Sequence, residues 1–304
     1  MSKEVISKWQ ERIEETFHGP KGIVGEKLQD LMVIEDEVGV ELVTYYKGYV
    51  RLMDSFLDFY MESIDHLSSR EAVDWSKKDV LTTVFHIATF RRFRASYKLF
   101  WSGYFIDGLS LLRAIFENVL QIVSVYNERI SIDDVFGNLK IEDSKDMSIE
   151  EIQKTLRTNI FKTDKKVSEN LIGKKSGLSQ ATQSRLEAFM WQLHNSVHKS
   201  KTFILHHYAP WIRGEKHMPK YPTFDIDLSS LCIAYSTYIG WMCTRILPTI
   251  QRVPCEFPSG WITKYKVLDE SFETAVLSAN TDASRAIQEL VIKKLDFYDM
   301  IESA

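Results

Sequence analysis

The chain has 304 residues, 44% of them hydrophobic and 26% charged, with a formal net charge of −4 and a pI near 6.1. That balance supports a sizeable core and excludes a generally disordered chain and a globally basic nucleic-acid binder. Three cysteines, Cys232, Cys243 and Cys255, with no C-x-x-C spacing, exclude a disulfide framework and a cysteine zinc site and point to a reducing cytoplasm.

Apolar residues recur with a helical period along nearly the whole chain. Strict alternation never lasts, and 13 glycines and 7 prolines are too few for many hairpins. Segment 3–17 is predicted as a short amphipathic helix stopped by His18-Gly19-Pro20. It lacks the continuous apolar stretch of a signal peptide, so no leader is expected. A long helical region, 26–67, follows, with a break placed near Gly39. In the next helix, 79–101, Arg91, Arg94 and Lys98 share one face, whereas Phe90, Phe93, Tyr97, Phe100 and Trp101 group on the other. Basic residues interleaved with aromatics can hold phosphates while bases stack, which makes Arg91 and Arg94 candidate ligand-binding residues. The same arrangement also describes a solvated basic face over a buried aromatic side.

Helix 104–126 is strongly apolar yet carries charges. At about 100° per residue, Ser110, Arg113, Glu117, Gln121 and Ser124 form one narrow stripe, and Leu109, Leu112, Ile115, Phe116, Val119, Leu120, Val123 and Tyr126 cover most of the rest. Burial of such a helix requires Arg113 and Glu117 to be paired, because one charge left unpartnered in a core costs about 3–5 kcal/mol. The stripe is therefore either a structural ion pair or a site, with Gln121 beside it.

Segment 136–177 changes character, being rich in charged and small polar residues. It is predicted as a polar insertion on the surface of the bundle, and its stretch 154–175 holds seven basic and two acidic residues. A long helix, 179–208, then carries Trp191-Gln-Leu-His194-Asn195-Ser-Val-His198. Spacing of four puts His194 and His198 on one face. Three uses fit that pair: a polar seam hydrogen-bonded to Glu117, an acid/base or binding pair with Asn195, or two ligands of a metal. The zincin pattern fails, since Asn195 stands where its general-base glutamate belongs, and no resident metal or other cofactor is expected. Helix 228–251 contains the longest uncharged run, 228–244, which is broken by Ser, Thr, Tyr and Gly and short for a membrane span. Helices 261–279 and 282–301 close the chain as a C-terminal extension. No P-loop, G-x-G-x-x-G or serine-nucleophile elbow is present.

The order Ala95-Ser-Tyr-Lys-Leu-Phe-Trp-Ser-Gly-Tyr104, then Leu111-Leu112-Arg113-x-x-Phe116-Glu117, then His194-Asn195-x-x-His198-Lys199-Ser200 resembles an uncharacterised family of bacterial helical proteins. Members pair an L-L-R-x-x-x-E helix with a later histidine-bearing helix. More distantly the pattern resembles the HEPN superfamily of four-helix bundles, whose active members are dimeric, metal-independent RNases of toxin and phage-defence systems. That resemblance spans about residues 79–251 and implies Arg113 and His198 as a catalytic pair. The two sit on different helices here, whereas HEPN proteins carry their Arg and His four to six residues apart on one.

The expectation is an all-α protein: an N-terminal helix and loop over 1–25, a bundle of four or five helices over 26–251 and a helical extension over 252–304. Function is expected to be action on RNA or a nucleotide, with Arg113, Glu117, His194 and His198 as catalytic residues and Asn195, Gln121, Arg91 and Arg94 binding the ligand. The alternative is a non-catalytic interaction module with a structural Arg/Glu/His seam. A homodimer is compatible with either, and neither a membrane nor sequence-specific DNA is an expected partner.

Overall fold

The structure, a computed structural model, describes residues 25–68, 75–128, 224–253 and 255–278, with isolated positions between 131 and 222. Among the described residues the protein is all-α and without strands. Five long helices and one single turn follow in order: α1 (Gly25–Ser68), α2 (Lys77–Trp101), α3 (Phe105–Tyr126), α4 (Ile226–Ile246), α5 (Pro248–Gln251) and α6 (Trp261–Ser278).

Local chemistry sets several of the boundaries. Ser76 and Asp79 form a reciprocal capping box at the start of α2, with Asp79 N–H donating to Ser76 Oγ at 3.2 Å and Ser76 N–H to Asp79 Oδ2 at 2.9 Å. Asp225 Oδ1 accepts from Leu228 N–H at 2.9 Å and caps α4. Between α2 and α3 the chain reverses at Gly103, whose φ of +80° is the left-handed conformation glycine adopts freely. Gly103 N–H bonds Phe100 O at 3.0 Å and Tyr104 N–H bonds Leu99 O at 2.8 Å, a Schellman closure.

The break placed at Gly39 is not there: α1 runs through it and bends instead at Tyr46 (φ −126°, ψ 28°). The Tyr46 phenol lies against the first turn of α4, 3.2 Å from Ile226 O and 2.5 Å from Ser230 Oγ. The missing side chain of Gly39 makes room for the Trp101 indole, which lies where a Cβ would be.

Helices α1 to α4 pack in succession, α4 also meets α1, and α6 packs against both α4 and α1. One core results. Its middle is α3, with Leu112, Ile115, Phe116, Val119 and Ile122 fully buried. By length and composition α3 could cross a membrane, but most of it is buried among the other helices, as befits a core helix. The first helix of the C-terminal extension contributes to this core. Trp261 and Phe272 of α6 are buried, and the Trp261 indole N–H donates to Ser63 Oγ of α1 at 2.9 Å.

Within the expected insertion only positions 148, 150 and 151 are described; Ser148 and Glu151 form a second capping box there, at 2.9 and 3.2 Å. The basic stretch 154–175 and helix 282–301 lie outside the described residues.

Candidate functional site

Along α3 the polar stripe is half-open. Ser110, Arg113, Glu117 and Gln121 are all partly accessible, and only Ser124 is sealed. Arg113 Nε donates to Glu117 Oε1 at 3.0 Å, with 24% and 41% of the two side chains exposed. The pairing expected from the sequence is made, but burial is not its reason. Water reaches both groups, so the carboxylate is one of several things that can satisfy the guanidinium.

A second arginine joins the neighbouring face. Arg92 of α2 reaches across to α3, where its Nη1 donates to Asn118 Oδ1 at 2.8 Å and lies 3.5 Å from Ala114 O. Asn118 is buried and donates through Nδ2 to Thr89 Oγ1 at 3.3 Å. Further along the same seam Ser96 Oγ donates to Gly108 O at 2.9 Å. Short and hydroxylated side chains on the buried face of α2 thus let α3 approach closely while satisfying each other.

Arg91 and Arg94 are exposed with Lys98, whereas Phe93 and Phe100 are buried and Phe90, Tyr97 and Trp101 partly so. The two arginines lie on the solvated side of α2, apart from the seam that Arg92 occupies. His194, Asn195 and His198 lie outside the described residues. Two positions just before them, Met190 and Leu193, are helical and pack against the core, Leu193 being only 1% exposed. No group of three or more His, Cys, Asp or Glu suited to a metal occurs among the described residues.

Sequence reasoning missed two buried polar groups. The first centres on His86 of α2, which is fully buried. Thr249 Oγ1 donates to Ile246 O at 2.6 Å, so its oxygen must accept from His86 Nε2–H at 2.9 Å. This network assigns the tautomer protonated on Nε2, with Nδ1 accepting from the Tyr60 hydroxyl at 2.5 Å. Burial pushes the imidazole down to about 3 and the Tyr60 phenol well above the usual tyrosine range. The second is an ion pair between Arg245 of α4 and Asp269 of α6 at 2.6 Å, with 12% and 11% of the side chains exposed. The Arg245 guanidinium also lies 5.4 Å over the Trp241 ring. Both were visible in principle as polar exceptions on apolar helix faces, His86 between Thr82, Thr89 and Phe93, and Arg245 between Met242 and Ile246.

Comparison with known proteins gives no relative: no protein-family model, curated protein or solved structure matches the chain.

Proposed function

We propose that this all-α protein acts on RNA or a nucleotide, with Arg113 as the phosphate-binding group. Glu117 holds the guanidinium in place until the ligand binds, and His194 or His198 serves as acid or base. The observation that supports this reading is the accessibility of the Arg113–Glu117 pair on an otherwise buried helix. A cation that needs no desolvation to exchange a carboxylate for a phosphate is suited to anion capture. Gln121 on the same stripe, and Asn195 beside His194 in sequence, supply neutral polar contacts; Arg91 and Arg94 add charge for the backbone of a longer ligand.

Incubation of the purified protein with single-stranded RNA in excess chelator tests the reading. Cleavage is expected, and its loss in Arg113→Ala and in at least one of His194→Ala and His198→Ala while the helical content is kept. Cleavage that disappears on chelation alone, or none under any condition, would reject it.

A second reading has an observation in its favour. Arg92, Asn118 and Thr89 satisfy one another across the α2–α3 seam, as a device that sets helix register would. If Arg113 and Glu117 belong to the same device, the chain is a non-catalytic interaction module. The double substitution Arg113→Gln, Glu117→Gln then alters stability without altering any RNA-dependent readout.

A further inference from the structure

The hydrogen-bonded chain through His86 joins three helices at the heart of the core. Tyr60 belongs to α1, His86 to α2 and Thr249 to α5, and Tyr126 of α3 closes on the same place by donating to Thr249 O at 2.8 Å. Each ring nitrogen has one partner, and the direction of each hydrogen is set by the Thr249 to Ile246 bond. We propose that this Tyr60–His86–Thr249 chain is an acid-sensitive latch, holding α1, α2 and α5 together while His86 is neutral and giving up its share of the fold's stability as the medium turns acid.

The geometry explains why a second proton is not tolerated. Placed on Nδ1, it would displace the Tyr60 hydrogen from its acceptor on the ring and put a positive charge inside an apolar cluster. Among the described residues the groups bonded to His86 carry no negative charge; farther out, the Asp79 carboxylate and the Lys78 ammonium of α2 and the Arg252 guanidinium after α5 act on the outer Tyr126 phenol. From α1 there is the Tyr60 phenol, and from α3 the Tyr126 phenol. The Cys243 thiol of α4 faces Tyr60, and burial raises all three groups, so that they stay protonated. Thr249 of α5 and Thr89 of α2 are uncharged. For His86 itself the cause of the depression, to about 3 from an ordinary value of 6.5, is burial.

Below the ordinary value the unfolded chain takes up the proton while the native state refuses it, so the unfolded state binds more protons. The stability held by His86 is therefore complete above about pH 6.5 and is lost progressively as the pH falls toward about 3. Between about pH 7 and about pH 5 this one group raises the unfolding equilibrium constant about 25-fold.

Urea unfolding of the full chain at those two pH values, for the native sequence and for His86→Gln, measures it. The glutamine amide can accept from Tyr60 and donate to Thr249 but does not titrate. The native protein is expected to lose about 25-fold more in its folding constant than the variant. Equal losses overturn the proposal. Should His86→Gln not fold, imidazole ¹⁵N–¹H spectra of the native protein decide. One histidine must stay neutral, protonated on Nε2, down to about pH 5, and titration of all eight histidines near 6.5 overturns the latch.

Discussion

Arg245–Asp269 and Arg113–Glu117 are ion pairs of similar length, 2.6 and 3.0 Å, in opposite surroundings. With both side chains about nine-tenths covered, Arg245 depends on Asp269 for compensation, and Glu273 stands farther off at 3.8 Å. Removal of the carboxylate by Asp269→Ala should cost about 3 kcal/mol or more. Glu117→Ala leaves an arginine that water can reach, and should cost under about 1 kcal/mol. Urea midpoints for the two variants check this; a larger loss at Glu117 than at Asp269 would reverse the assignment of which pair is structural. The sequence points to Arg113 and Glu117 because two charges one turn apart on an apolar helix are conspicuous. It hides Asp269, which sits among Lys264, Lys266, Glu270 and Glu273 and looks like one more charge on a solvated face. Only the docking of α6 on α4 turns that position inward.

At the scale of elements, α6 is where periodicity and packing part company. The pattern over 261–279 is helical, but nothing in it tells a tail from a core element. The aromatic cluster decides: Trp261 stands 5.3 Å from the Phe59 ring, 5.0 Å from Phe257 and 6.0 Å from Tyr265, and is 1% exposed. Trp261→Ala removes that ring and leaves Ser63 Oγ without its donor. A loss of about 3–5 kcal/mol is expected in chemical denaturation; a loss below about 1 kcal/mol would make α6 an appendage. The bend in α1 has the same kind of cause. Tyr46 is neither glycine nor proline, and its partners on α4 are about 180 residues away, so no local signal marks it. Boundaries made by adjacent residues, such as Ser76 with Asp79 and the Gly103 turn, are by contrast readable from the chain.

At the scale of the whole molecule, the all-α class of the described residues follows from a 3.6-residue rhythm that runs along nearly all of the chain, and the solvated face of Arg91, Arg94 and Lys98 from simple angular placement. The polar interior does not follow in that way. His86, Asn118 and Thr89 become a connected system only when α1, α2 and α3 lie side by side, and a lone polar residue on an apolar face gives no hint of its partner. That interior fixes the register that leaves the Arg113–Glu117 stripe open to solvent, and the functional proposal stands on this opening. Its most direct test is the affinity of a fluorescein-labelled single-stranded RNA for the native protein and for Arg113→Gln across a series of salt concentrations. Arg113→Gln should weaken binding about tenfold and lower the log–log salt slope by about one, the signature of one lost phosphate contact. Absence of RNA binding by the native protein, or identical affinity and slope in the two proteins, would contradict the account.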